Sequence, residues 1–332
     1  MPERIARNLG FDLVRVTESA ALAAARWQGR GDKNAIDGAA VEAMRYVLQY
    51  VPMDGIVVIG EGEKDQAPML YIGEQIGTGD GPKVDVAVDP VDGTTLLSKG
   101  LNNAISVVAL ASRGSMFYAP GIMYMDKIAV GPVAKGCVHL DESVKDNLIA
   151  VARCKNLPVE EVTVVVLDRP RHEDLIREIR ETGARIKLIG DGDVAGAIMT
   201  AMDGTGVDIL LGTGGSPEAV ISAVGLKCLG GEMQCRLHPR NDEERQKAAS
   251  AGFDMDKILT IDDLVRDEDV FLALTGITGG ELVRGVRYTT RGAETESLMM
   301  RSRSGTIRRI EASHNFDKLT SITSIPYGRG RE

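Results

Sequence analysis

The stretch Asp85-Val86-Ala87-Val88-Asp89-Pro90-Val91-Asp92-Gly93-Thr94 joins a short apolar strand to a turn that carries two carboxylates. Val84 to Val88 is rich in β-branched residues and reads as a strand. Pro90 and Gly93 read as the tight turn that ends it and presents Asp89, Asp92 and Thr94 together. Two carboxylates three residues apart at a strand end suit a hard divalent cation, which takes oxygen ligands. Asp-Pro and Asp-Gly are also ordinary turn chemistry, so this stretch alone leaves a plain turn open. Upstream, Ile56 to Ile59 is a second short strand and delivers Gly60-Glu61-Gly62-Glu63 in the same manner. The two acidic strand ends together favour a metal site over a pair of turns. Asp37 follows Gly31-Asp32-Lys33-Asn34 near a helix start, where an acid that merely complements the helix dipole is the alternative reading.

Outward from these strands, Val16 to Trp27 reads as an alanine-rich helix and Ala35 to Gln49 as a second, ahead of Pro52. Ala104 to Leu110 reads as a buried strand. The later chain alternates: strand Thr163 to Leu167, helix Glu173 to Thr182, strand Arg185 to Ile189, helix Asp193 to Met202, strand Val207 to Leu211 and helix Pro217 to Leu229. Such alternation predicts an α/β unit with ligands held at strand ends. Residues 233–267 are charged and less regular, and Phe271 to Leu274 reads as one more strand. Leu157-Pro158 interrupts the pattern, so two domains are expected, 1–160 metal-binding α+β and 161–332 substrate-binding α/β.

Composition excludes several functions. A formal charge of -9 and 4% aromatic residues oppose a nucleic-acid partner, which wants a basic face and stacking platforms. The apolar run Ala104 to Ala111 is far below the roughly 20 residues that span a bilayer, and Met1 to Gly10 is unlike a signal peptide. Cys137, Cys154, Cys228 and Cys235 include no C-x-x-C pair and read as buried or inert thiols, which points by elimination to the cytoplasm. The chain contains neither G-x-x-x-x-G-K-[ST] nor G-x-S-x-G, and Gly77-Thr78-Gly79-Asp80-Gly81 lacks dinucleotide-binding spacing.

Two further segments read as anion holders. Arg169-Pro170-Arg171 stiffens a turn between two guanidinium groups, whose forks match phosphate oxygens. Gly212-Thr213-Gly214-Gly215-Ser216-Pro217-Glu218 reads as a glycine-rich turn entering a helix, with Ser216 as cap. Free amides there suit a phosphate or sugar oxygen, a plain helix entry being the alternative.

Asp89-Pro90-Val91-Asp92-Gly93-Thr94 resembles the D-P-[IVL]-D-G-T motif of the inositol-monophosphatase and fructose-bisphosphatase superfamily. Arg15-Val16-Thr17-Glu18-Ser19, Gly29-Arg30-Gly31-Asp32-Lys33-Asn34, Ile59 to Glu63, Ala67 to Glu74, Arg169 to His172, Asp191 to Ala195 and Thr275-Gly276-Ile277-Thr278 narrow the resemblance. They are similar to class II fructose-1,6-bisphosphatases over roughly residues 10–310. The resemblance implies the sugar-phosphatase fold, a layered α-β-α-β-α sandwich of two domains with the site between them. It implies metal-dependent hydrolysis of the C1 phosphate of fructose 1,6-bisphosphate in gluconeogenesis, with Mg²⁺ or Mn²⁺ as cofactor. A phosphatase that also takes sedoheptulose 1,7-bisphosphate, and a catalytically silent sugar-phosphate-binding regulator, are the rival readings. The expected protein is a cytoplasmic homo-oligomer, a dimer or tetramer.

Residue by residue, the resemblance implies that Asp37, Glu61, Asp89 and Asp92 ligate metal. Thr94 and Glu61 then activate the attacking water, the Thr94 hydroxyl donating to Glu61. Asp92, Gly93, Thr94, Tyr124, Arg169, Pro170 and Arg171 are expected at the substrate, as are Asp191, Gly192, Asp193, Gly215 and Glu218. Tyr124 reads equally as a packed core tyrosine. Lys33, Glu63 and Asp65 are further charged candidates. Asp92 stands where class II members often carry Glu, and Arg169 where some carry Lys.

Overall fold

Helix α1 (Leu9–Ala25) is apolar on nearly every face and has only Asp12 in its first turn. Such a helix needs cover all round, and it packs on α2 (Lys33–Leu48) and on a sheet. It extends ahead of the predicted Val16 at least to Leu9, and glycine at 10 permits close packing: a Cβ there would sit 2.8 Å from the Met299 sulfur. Asp32 caps α2, accepting from the Ala35 amide at 3.0 Å. These details belong to a computed structural model that describes residues 9–62, 69–325 and 327.

The chain next lays down β1 (Asp54–Ile59), β2 (Gln75–Ile76), β3 (Lys83–Asp92), the short helix α3 (Thr94–Ser98) and β4 (Ile105–Ser112). It then builds a second unit. There β5 (Tyr124–Val130), α4 (Val144–Lys155), β6 (Thr163–Leu167), α5 (Glu173–Glu181), β7 (Arg185–Ile189) and α6 (Asp193–Met199) follow one another. After them come β8 (Ile209–Gly215), α7 (Ser216–Leu229), β9 (Glu232–His238), α8 (Asp242–Ser250), β10 (Leu259–Thr260) and α9 (Ile261–Leu264). The chain returns to the first unit with β11 (Phe271–Gly276), β12 (Arg287–Tyr288), β13 (Gly292–Arg301), β14 (Thr306–Asn315) and α10 (Phe316–Ile322).

Each unit is α/β around a mixed sheet. Among the described residues the first sheet has eight strands in the order β12-β13-β11-β4-β3-β1-β2, with β14 beside β13. Only β1 and β3 run parallel within it. The second has six in the order β10-β9-β5-β8-β6-β7, parallel from β8 through β6 to β7. One core gathers Leu13, Met44, Val86, Leu110 and Phe271, and the other gathers Ile128, Leu148, Val164 and Ile209.

The units are Met1–Ser115 with Glu268–Glu332, and Met116–Asp267, so the boundary expected near residue 160 needs correction. The cause is pairing. Tyr124–Val130 takes both its neighbours, β8 and β9, from the second unit, while β11 inserts between β4 and β13. The cysteine reading also changes. Cys137 and Cys154 form a disulfide, because the chain reverses between β5 and α4 and brings them together; Cys228 and Cys235 are buried free thiols. Among the described residues no helix is long and apolar enough to cross a membrane.

Candidate active site

Side chains on a strand alternate faces, so residues three apart, such as Asp89 and Asp92, would ordinarily point to opposite sides. They do not here. Asp89 pairs with Val107 and Asp92 with Ile105, so three steps on β3 match two on β4. The extra residue is a bulge, and it falls on Pro90 and Val91, where proline has no amide to give the ladder. Because Val107 and Ile105 share a face, Asp89 and Asp92 share it too. Asp92 is buried, and Asp89 Oδ1 accepts from the Val91 amide at 3.0 Å, which holds the turn.

The neighbouring parallel strand β1 carries its own bulge between Val57 and Ile59 before releasing Gly60 and Glu61. Only glycine fits at 60, since a Cβ would lie 2.1 Å from the Leu70 carbonyl oxygen. Glu61 is thus delivered to the carboxyl end of the sheet, beside the end of β3. Glu61 keeps solvent contact, yet withdrawal from bulk water and then the Asp37 charge push its carboxyl up to about 7. Two acids that disfavour each other's ionisation are a site that a cation would relieve.

Thr94 opens α3 immediately after Gly93, whose φ of +104° is left-handed and whose Cβ would crowd Ala104. Its hydroxyl donates to Asp37 Oδ1 at 2.8 Å, with a longer contact of 3.2 Å to the Val91 carbonyl. The expected partner was Glu61; the structure assigns Asp37, because α3 packs against α2 and places Thr94 beside that helix. Lys33, at the start of α2, donates to Thr95 Oγ1 at 2.8 Å, one residue beyond. The four carboxylates do not close into a cage: among the described residues no three His, Cys, Asp or Glu groups could hold a metal ion. The donor set is nonetheless all oxygen and acidic, as Mg²⁺ and Mn²⁺ require. Glu63 and Asp65 lie outside the described residues.

In the second unit, Arg171 places its guanidinium carbon 4.9 Å from the Tyr124 ring centre, and Arg240 places its own at 6.0 Å. Arg171 also gives Nε and Nη2 to the Thr213 carbonyl at 3.0 and 2.8 Å, which anchors the turn to β8. Tyr124 is therefore partly exposed beneath guanidinium groups, not packed in the core. Arg169 lies 3.6 Å from Asp191, and Pro170 begins a 3₁₀ turn. That turn is pinned by His172. The Thr213 amide donates to its Nε2 at 2.8 Å, so Nδ1 carries the proton and donates to the Leu167 carbonyl at 2.7 Å. Burial holds His172 below its ordinary pKa, and it stays neutral.

The glycine-rich segment is not the expected turn. Gly212 to Gly215 complete β8, and Gly215, not Ser216, caps α7. The glycines make room for charge. A Cβ on Gly214 would lie 2.1 Å from Asp193 Oδ2, and one on Gly215 would lie 1.8 Å from Glu218 Oε2. Asp193 accepts from Lys127 Nζ at 2.6 Å, behind Gly192, which turns with φ +83°. Glu218 Oε2 is buried without a hydrogen-bond partner among the described residues, and burial followed by the Asp193 charge raises its carboxyl above the ordinary range. Lys127 is the residue that sequence reasoning misses; the available signal is a lone lysine directly ahead of the apolar run Ile128-Ala129-Val130.

Residues 7–314 match the family model described as bacterial fructose-1,6-bisphosphatase, glpX-encoded. The chain is 44% identical over 332 residues to the class 2 fructose-1,6-bisphosphatase of Haemophilus influenzae, covering 96% of this chain and 99% of that one. It is 45% identical over 325 residues to fructose-1,6-bisphosphatase 1 class 2 of Escherichia coli K12, covering 94% and 96%.

Proposed function

The chain belongs to the family of bacterial, glpX-encoded fructose-1,6-bisphosphatases and is a phosphatase of fructose 1,6-bisphosphate; we propose that it removes the C1 phosphate and uses Mg²⁺ or Mn²⁺ to do so. The observation that carries the metal reading is the bulge at Pro90 and Val91, which turns Asp89 and Asp92 to one face beside the end of β1. Asp37, Glu61, Asp89 and Asp92 would hold the cations. When bound, such ions supply Lewis-acid neutralisation of the phosphoryl oxygens and make a water easier to deprotonate.

The chain's own residues supply the proton path. Thr94 commits its hydroxyl proton to Asp37, so its oxygen lone pairs remain to accept from the attacking water. Glu61, released at the end of β1 within reach of the Asp37 charge, would receive the proton of that water. The water oxygen bonds to phosphorus, the P–O bond to C1 breaks with its electron pair on the sugar oxygen, and that oxygen takes up a proton. The products are fructose 6-phosphate and phosphate. Arg169 and Arg171 would hold the phosphate that is not cut, and Asp191 and Asp193 the sugar hydroxyls. A bisphosphorylated sugar does not cross membranes unaided, which fits action in the cytoplasm.

Metal-free protein prepared with a chelator should release no phosphate from fructose 1,6-bisphosphate. Activity should return with Mg²⁺ or Mn²⁺. Full activity after chelation would overturn the metal reading, and sedoheptulose 1,7-bisphosphate in the same assay measures selectivity.

A further inference from the structure

We propose that Lys127 is a positioning residue of the substrate site, fixing the direction and the charge of the Asp193 carboxylate so that it receives the sugar hydroxyls of fructose 1,6-bisphosphate. This rests on the reading that Asp193 contacts substrate.

Lys127 sits in the middle of β5, opposite Gly212 on one side and Cys235 on the other. It is only 3% exposed. Burying an ammonium is costly unless it is paired, and an apolar pair of equal volume would hold two elements together at least as well. A buried lysine is therefore poorly explained by stability alone. Its Nζ lies 2.6 Å from Asp193 Oδ2, and a Cβ on Gly214 would lie 3.0 Å from that same nitrogen. The backbone of β8 has thus given up a side chain at the contact. Burial by itself would lower the lysine's pKa, but the charges of Asp193 and Glu218 outweigh it, and Lys127 stays above its ordinary value and cationic. Cys235 is no rival partner, because burial pushes its thiol up to about 12.

The pair borders a cavity of about 10 Å³, room for at most about one water molecule. Asp193 itself opens α6 directly after Gly192, so its backbone is set and only its side-chain torsions remain to be fixed. Lys127 fixes them. Without the ammonium, the buried carboxylate would take up a proton or turn away, and either change removes an acceptor for a sugar hydroxyl.

KM and kcat for fructose 1,6-bisphosphate should be measured for Asp193→Asn, Lys127→Met, Lys127→Arg and the double variant Lys127→Met/Asp193→Asn, with melting curves confirming folding. Asp193→Asn and Lys127→Met should each raise KM roughly ten- to a hundredfold, as for one lost hydrogen bond to a charged group, with kcat within a few-fold. Lys127→Arg should recover most of the loss. The double variant should match Asp193→Asn alone, since one route is being cut twice. A folded Lys127→Met enzyme with parental KM, beside an impaired Asp193→Asn, would refute the role of Lys127 and leave the substrate reading standing. Parental KM in Asp193→Asn would refute both. Should Lys127→Met not fold, the double variant, which removes both charges, decides: KM equal to that of Asp193→Asn supports the proposal, and a clearly higher value overturns it.

Discussion

Thr94→Val separates two jobs of one hydroxyl. The substitution keeps the β-branch and nearly the volume, and removes only the group that donates to Asp37 Oδ1 at 2.8 Å. A hydrogen bond to a charged acceptor contributes about 1.5–3 kcal/mol. In a unit of this size each kcal/mol moves the melting point by about 2–4 °C, so a loss of roughly 3–12 °C is expected from the Asp37 contact alone. The catalytic loss is separate and larger. If the oxygen also accepts from the attacking water, kcat should fall by roughly 10²–10⁴-fold. Phosphate release at saturating substrate and saturating Mg²⁺ or Mn²⁺ measures kcat free of weakened metal binding, and differential scanning fluorimetry measures the stability term. Thr94→Ser keeps the hydroxyl and should restore the melting point and much of kcat. The reasoning fails if Thr94→Val melts lower as calculated but keeps kcat within a few-fold of the parent. Thr94 would then be a strut for Asp37, with Glu61 left as the group that receives the water's proton.

Two other perturbations test other parts of the structure. Arg171→Ala should raise KM for bisphosphates by roughly ten- to a hundredfold and much less for monophosphate test substrates; an equal effect on both would make its contacts to Thr213 and Tyr124 purely structural. Glu18 is buried between α1 and β13, accepts from Thr295 at 3.3 Å, and is pushed up to about 7 by burial. A carboxyl raised in the folded state favours folding fully below its unfolded value and loses that contribution as pH climbs from about 4.5 through about 7. Glu18→Gln should therefore gain on the parent over that window, by on the order of 3 kcal/mol at pH 8. Parallel denaturation curves for the two proteins at pH 5 and pH 8 would refute it.

Much of the first unit is legible in the chain itself. The strands β3 and β4 carry continuous apolar, β-branched runs because they lie near the middle of a covered sheet, whereas β1, beside the short edge strand β2, buries alternate residues. The turn chemistry of Asp89-Pro90 and Asp92-Gly93 is equally local, as are the α/β alternation from Thr163 to Leu229 and the Asp32 cap on α2. Strand β5 is not legible. Tyr124, Asp126 and Lys127 break its apolar run, and the groups that satisfy them lie far along the chain: Asp193 is 66 residues from Lys127, and His238 is 112 from Asp126. The outer strand β14 reads as a charged segment for a different reason, since Arg308, Arg309 and Glu311 sit on an exposed edge.

By itself the sequence determines which residue types stand at each strand end: an acidic set after β1 and β3, an arginine pair after β6, and glycines at the end of β8. Only the tertiary structure decides what those residues face. That Asp89 and Asp92 point the same way depends on a bulge defined by the register against β4. That Thr94 gives its proton to Asp37 depends on the packing of α3 on α2. That the β8 glycines shelter a lysine–carboxylate pair depends on β5, whose place between β8 and β9 no local pattern announces. Turn and strand preferences act between neighbours in the chain, whereas register, charge pairing and burial are set by groups that only folding brings within a few ångströms.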